Sequence, residues 1–457
     1  MKQLLVMLVN HILLASVAFR VVQCLPTVSG TDGDRTLSSS IKASSTSSQH
    51  VCPSHARPKA VSQARAQSAP HDGVLRGVNI GAWLVLEKWL VPSIFEGTGA
   101  KDQCSFDQLP NSLARLEKHW ASWFTQQDVE KLASYGFNAL RIPIGYWAYD
   151  TFDSPYKSGA DAWLERALDW AADANMKVLI DLHGAPGSQN AFDNSGCIGV
   201  VDWQRPVNLE RTSAILHTMA RKYGQQRYQN VVMGIQLINE PISWGANDFE
   251  KTRSWAKNIT QDLLASRVIE NPNLKLVMHD AFRDVQEWLE PHRSLNGNAT
   301  EAKNALFGLD THLYQVFVPE DKNLIQQQHI EKACRWREKL QAAKKANFPI
   351  YVGEWSVATD ICVWPDNSTT PGTTCTAVGC QCQSAPVSDW STALVKEARK
   401  FVEAQLDTWH TASDGYFLWN FKADLGAAGP WSLYESIEKG IVPNPIWDRA
   451  YPDICSS

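Results

Sequence analysis

Eight short apolar runs recur between residues 74 and 422: VLRGVNIG (74–81), ALRIPI (139–144), KVLIDLHG (177–184), VVMGIQLINE (231–240), LKLVMHD (274–280), ALFGLDTHLY (305–314), PIYVGEWS (349–356) and GYFLWNFK (415–422). Each is apolar for most of its length and polar at its end. Unbroken apolar runs suit parallel strands covered on both faces, whereas a half-wet antiparallel sheet alternates. Between the runs lie segments of helical period, at 125–135, 161–174, 209–223, 248–269, 321–346 and 388–409. Strands alternating with helices in this number predict an α/β fold, a (β/α)8 TIM barrel, as one domain over 73–457. The stretches 84–120 and 357–386 read as long loops following strands and able to wall a pocket.

Barrel sites gather at the C-terminal ends of the strands. The polar ends of the runs place there Arg141, His183, Asn239 with Glu240, His279 with Asp280, His312 with Tyr314, Glu354 with Trp355, and Trp419 with Asn420. Two of these ends are glutamates, in LINEP (237–241) and VGEWS (352–356). A carboxyl at the end of a buried strand is costly unless used or paired, and two from different strands can flank one glycosidic bond. The blander account makes Glu240 a cap before Pro241 and Glu354 a core residue holding an arginine; the company of so many polar strand ends argues against it. On chemical grounds Glu240 is the acid/base, beside an Asn239 amide able to reach a sugar 2-hydroxyl. Glu354 is the nucleophile, kept ionised by Arg141 and hydrogen-bonded by Tyr314. Retention requires the two carboxyls to stand roughly 5–5.5 Å apart. His183 and His312 read as sugar hydrogen-bonders, since no short histidine spacing suggests a metal set, and His279 reads as structural.

Composition narrows this further. With 44 % hydrophobic and 20 % charged residues and a net charge of -5, the chain is globular and offers no basic stripe for nucleic acid. Its 19 tryptophans supply flat faces for sugar rings as well as core volume. Residues 1–18 have the layout of a secretory signal peptide. Residues 19–72 are Ser/Thr-rich with little apolar content and read as a disordered segment or propeptide. No membrane anchor is expected, and the product is secreted, extracellular or in a cell wall. Ten cysteines in an exported chain point to disulfides, four of them crowded into the insertion at 362–382, where a metal site is the lesser alternative. Sequons stand at Asn258, Asn298 and Asn367. A serine nucleophile elbow, a phosphate loop and a dinucleotide fingerprint are all missing, so no cofactor and no metal are expected.

The segments RGVNIGAWLVLE (76–87), LRIPIGYW (140–147), DLHGAPGSQNAFDNSG (181–196), NEP (239–241), HLYQVF (312–317), GEWS (353–356) and LWNFK (418–422), in this order, resemble glycoside hydrolase family five, specifically the fungal exo-β-1,3-glucanases. The resemblance covers almost everything from Arg76 to Cys455. It implies a barrel hydrolase releasing glucose from non-reducing ends of β-glucan. Apart from that glucan no partner is expected, and the chain is expected to be a monomer. Glu240 would be the proton donor and Glu354 the nucleophile, with Arg141, His183, Asn239, His312 and Tyr314 around the reacting glucose. Glu87 with Asp193 would bind its terminal hydroxyls, Trp419 would form the floor, and Phe192 and Phe317 would clamp the next sugar. Cys334 would pair with Cys455, and Cys362 within its insertion. Trp89 stands where those enzymes carry a tyrosine, and the insertion with Cys375, Cys380 and Cys382 is unusual. Related activities on β-1,6-glucan or simple β-glucosides therefore stay open, while a noncatalytic wall-binding protein would be expected to have lost one glutamate.

Overall fold

The computed structural model describes Pro70 and residues 72–456, except Asn298, Leu425 and Ala427. The expected export segment, nearly all of 19–72 with Cys24 and Cys52, and the sequon at Asn298 lie outside the described residues. Eight parallel strands close a barrel: β1 (Leu75–Asn79), β2 (Ala139–Gly145), β3 (Lys177–Gly184), β4 (Val232–Gln236), β5 (Lys275–His279), β6 (Phe307–His312), β7 (Ile350–Trp355) and, after three short strands introduced below, β11 (Gly415–Leu418). β1 closes the ring between β2 and β11. Every residue of β2 and β7 is buried, as the unbroken apolar runs require.

Strand side chains alternate, so every second residue points into the barrel. At the N-terminal end these positions carry Ala139, Leu179, Met233, Val277, Tyr351 and Phe417, which form an apolar cluster of their own. One inward-facing step above this cluster stand Arg141 on β2 and Asp181 on β3, with Asp310 on β6, all fully buried. The barrel interior is thus an apolar plug beneath a polar layer. Outside it pack the expected helices, with bounds Gln126–Ser134, Ala160–Asp173, Pro206–Tyr223, Phe249–Ala265, Gln326–Lys345 and Thr392–Ala412. Their starts follow from side chains that satisfy the free backbone N–H groups of a first turn. Thr125 and Asp128 form a reciprocal capping box, Asp248 accepts from Lys251 N, and Ser391 from Leu394 N.

Three expectations need correction. The stretch 84–120 contains helices at Pro92–Phe95 and Gln103–Asp107 and the start of a third, Ser112–Trp123, whose buried Leu116, His119, Trp120 and Trp123 form one stripe. The stretch 357–386 folds as a small antiparallel sheet, β8 (Ile361–Val363) between β9 (Thr369–Pro371) and β10 (Gln381–Cys382). A helix at Leu289–Asn296 follows β5 where none was expected, too short for its period to stand out. The eight cysteines of the described body pair as Cys104–Cys197, Cys334–Cys455, Cys362–Cys382 and Cys375–Cys380. No described helix is long and apolar enough to cross a membrane. Asp72 accepts Val74 N and pairs with Arg76.

Candidate active site

Arg141 organises the polar layer from the middle of β2. Its guanidinium donates to Gln236 Oε1 at 2.9 Å, Asn79 Oδ1 at 2.8 Å, Asn239 Oδ1 at 2.7 Å and Glu354 Oε1 at 2.9 Å, and lies 3.1 Å from Asp181 Oδ2. A buried cation is tolerable only when its fork is filled in this way. Glu354, at the end of β7, accepts a second hydrogen bond from the Tyr314 hydroxyl, 2.8 Å from Oε2. Gly353 before it has a physical reason: a Cβ there would lie 2.2 Å from Asp310 Oδ1, the oxygen that accepts Gly353 N at 2.6 Å.

Glu240 lies just beyond β4 with φ of +42°, a left-handed backbone for a non-glycine residue, which costs on the order of 1–3 kcal/mol and persists only when its surroundings enforce it. They do. Gln189 Nε2 donates to the carbonyls of both His183 and Asn239, at 2.7 and 2.9 Å, and Asn239 N donates to Leu182 O at 2.9 Å. The Glu240 carboxylate accepts from Asn194 Nδ2 at 3.0 Å and faces His312 Nδ1 at 2.8 Å. The same Nδ1 lies 3.4 Å from Glu354 Oε2. One ring nitrogen within reach of both carboxylates brings their facing oxygens closer than the roughly 6.5–9.5 Å separation of an inverting pair.

The charges at this junction favour the imidazole as the proton's site. Burial alone would lower His312, but Glu354 and Asp310, the latter 3.1 Å from Nε2, raise it well above the usual histidine range. Burial likewise works to raise Glu240, yet the His312 hydrogen bond and charge outweigh it and hold the carboxyl at about 2. Glu354 is raised, because burial outweighs the help of His312 and Arg141. This ordering differs from the simple expectation of a protonated Glu240 beside a readily ionised Glu354, since sequence reasoning did not bring His312 between them. Glu240, His279 and His312 are close enough to share a cation. Both ring nitrogens of His312 already face carboxylates, however, and His279 Nδ1 accepts Ala281 N at 3.1 Å, which puts the hydrogen on Nε2. Such a set suits proton sharing better than metal ligation.

Several buried polar atoms have no partner among the described residues, including His183 Nε2, Asn239 Nδ2 and His279 Nε2. Unpaired buried polar groups are rare enough to require a reason, and ligand hydroxyls supply one. His183 is fixed by Asp181, 2.5 Å from Nδ1, and lies nearly parallel to Trp419 with ring centres 5.7 Å apart. Gly81 makes space for that tryptophan, since a Cβ would come within 2.9 Å of its ring. Glu87 is buried, accepts Trp89 Nε1 at 3.1 Å, and is raised well above the carboxylate range by burial and then by Asp193 and Glu354. Asp193 is raised as well, chiefly by burial. Phe317 is 62 % exposed and rests on Tyr314 and Trp431, with centres 5.2 and 5.9 Å away. Phe192 is exposed at the head of the turn Asp193–Ser195 and makes no described ring contact with Phe317. The structure thus joins Arg141, Asn239, Glu240, His312, Tyr314 and Glu354 by direct contacts, with Glu87, Asp193, His183 and Trp419 around them.

Sequence reasoning missed the supporting residues Asn79, Asp181, Gln189, Asn194, Gln236 and Asp310. The signal for Asn79, Asp181, Gln236 and Asp310 was a polar residue inside an apolar run; nothing local marked Gln189 or Asn194. It also missed an exposed aromatic pair at the mouth, Trp244 and Phe282, with ring centres 5.3 Å apart.

A family model described as cellulase (glycosyl hydrolase family 5) matches residues 101–371. The chain is 35 % identical over 403 residues to probable glucan 1,3-beta-glucosidase A of Aspergillus niger, covering 84 % of this chain and 90 % of that protein. It is 33 % identical over 400 residues to the glucan 1,3-beta-glucosidase of Candida oleophila, covering 83 % and 91 %. Among solved structures, rutinosidase from Aspergillus niger superposes with a TM-score of 0.62 at 22 % identity over 80 % of this chain and 97 % of that one, a likeness of fold.

Proposed function

This chain belongs to glycosyl hydrolase family 5, and from that premise we propose that it is a secreted exo-β-1,3-glucanase that releases glucose from non-reducing ends by a retaining double displacement. The observation that supports the mechanism is His312 Nδ1, 2.8 Å from Glu240 and 3.4 Å from Glu354, which brings the facing oxygens of the two carboxyls closer together than an inverting pair stands. Glu354, steadied by Arg141 and Tyr314, attacks the anomeric carbon as the C1–O bond breaks. The leaving oxygen takes a proton from Glu240, which draws it from His312 Nδ1. Water then enters on the vacated side, gives a proton back to Glu240 and displaces Glu354, so the β-configuration is restored.

Exo action follows from Glu87. A buried carboxyl hydrogen-bonded to the terminal hydroxyls of a glucose loses those bonds if another sugar is attached through them, and each lost bond costs roughly 1–3 kcal/mol. The names of the relatives support β-1,3-glucan as substrate, and an export segment at 1–18 supports action outside the cell or in its wall. Laminarin digestion tests the reading: glucose from the earliest time points, with a slow fall in polymer size, is expected. Early mixed oligosaccharides would mean an open cleft and an endo enzyme.

A further inference from the structure

The disulfide-clamped insertion builds something the catalytic reading leaves unused. Between it and the barrel mouth lies a cavity of about 360 Å³, whose lining includes Trp89, Trp431, Asp360, Thr373, Gln383 and Ser384. That volume is at the small end of ligand pockets, suited to one sugar ring and not to a chain. Two of its walls are shared with the active site. Trp89 donates its indole N–H to Glu87, and Trp431 packs against Trp89, Tyr314 and Phe317, with ring centres 5.3, 5.6 and 5.9 Å away.

The opposite wall is rigid and polar. β8 and β10 are joined by Cys362–Cys382, and the turn before β10 is closed by Cys375–Cys380. Gln383, 3 % exposed, accepts Thr359 N at 2.8 Å through Oε1, while its Nε2 has no hydrogen-bond partner among the described residues. Asp360 is half-buried beside it and is raised by that burial. Two tryptophans facing an unpaired amide N–H and a carboxyl match a pyranose, which has apolar faces and a hydroxyl rim.

We propose that this cavity is a glycone subsite for a second sugar carried on the 6-hydroxyl of the glucose at the reaction centre, so that the enzyme also accepts 6-O-glycosyl β-glucosides and releases the disaccharide intact. The inference rests on the retaining reading above and deepens it. On that reading the ring hydroxyls of the reacting glucose are taken by Glu87 and its neighbours. The primary hydroxyl stands on an exocyclic carbon with its own torsion, so it alone can lead a substituent past Trp89 without moving the anomeric carbon from Glu354. The chemistry is unchanged: the bond from the anomeric carbon to the aglycone oxygen breaks, that oxygen leaves with the electron pair and a proton from Glu240, and water supplies the new hydroxyl.

The test compares 4-nitrophenyl β-glucoside with 4-nitrophenyl β-gentiobioside, reading nitrophenol by absorbance and the first sugar by mass spectrometry. Gentiobiose as the first sugar is expected, and Thr373→Trp, an exposed position whose new ring fills the cavity, should lower the gentiobioside-to-glucoside ratio of kcat/KM by tenfold or more. Gln383→Ala should lower the same ratio several-fold. If glucose is released first from the gentiobioside, or if the ratio is unmoved in folded Thr373→Trp, the subsite is refuted while the retaining reading stands. If folded enzyme hydrolyses neither substrate, the retaining reading fails and the subsite with it.

Discussion

The eight strands of the barrel enclose two interiors one inward-facing position apart. The lower one, around Leu179, Val277, Tyr351 and Phe417, is apolar and packed. The upper one, around Arg141, Asp181, Asp310, His312 and the two glutamates, is also buried but holds opposed charges and polar atoms without hydrogen-bond partners. Burial is therefore no guide to role. What separates the two is whether the buried groups are satisfied within the protein: the lower layer is complete in itself, and the upper layer leaves polar atoms that the proposed function assigns to a substrate. Stability should answer to the first and turnover to the second.

Replacement of Glu354 by Gln should produce the largest effect, a fall in kcat on laminarin of about 10⁴-fold or more, with thermal unfolding still cooperative. Loss of cooperative unfolding in parallel would mean that the upper layer also holds the fold. Leu179→Ala is the mirror test. It should cost about 2–5 kcal/mol in urea unfolding and leave kcat near wild type, because the cavity it opens lies below the reacting groups. A large kcat defect would show the layers to be coupled.

A smaller effect is expected from His312→Asn on the pH profile. In the proposed mechanism the active form carries ionised Glu354 and one proton on the Glu240–His312 pair, so activity should be lost as pH rises through the pKa of whichever group holds that proton. In the wild type that group is His312, raised well above its usual range. In the variant it is Glu240, freed from the cation that holds it at about 2 but still a carboxyl. The alkaline limb of kcat/KM should therefore move to lower pH by at least about one unit, ~1.4 kcal/mol. An unmoved limb would show that the imidazole does not supply the proton. The smallest effects are expected from dialysis against EDTA and from removal of residues 19–69, each of which should leave turnover unchanged. Loss of activity restored by one divalent ion, or an inactive but folded truncation, would break the division.

Much of this was legible in the sequence for a physical reason. Strands buried on both faces have to be apolar along their length, so the eight runs stood out, and their polar ends marked Arg141, Asn239, Glu240, His312 and Glu354. The helix Ser112–Trp123 was hidden because its apolar stripe includes His119 and starts from a buried serine. The β8–β10 sheet was hidden because strands of two or three residues leave no pattern. The position of the proton could not be read at all. It depends on His312 standing between two carboxylates from other strands, a relation that exists only once the barrel closes.

The central claim is that Glu354 attacks and Glu240 serves as acid and base. Trapping with an activated 2-fluoroglucoside, followed by peptide mass spectrometry, tests it most directly. The account predicts a single glycosyl adduct on the peptide carrying Glu354, formed with loss of activity and relieved by an acceptor sugar. An adduct on Glu240 or on any other carboxylate would contradict it.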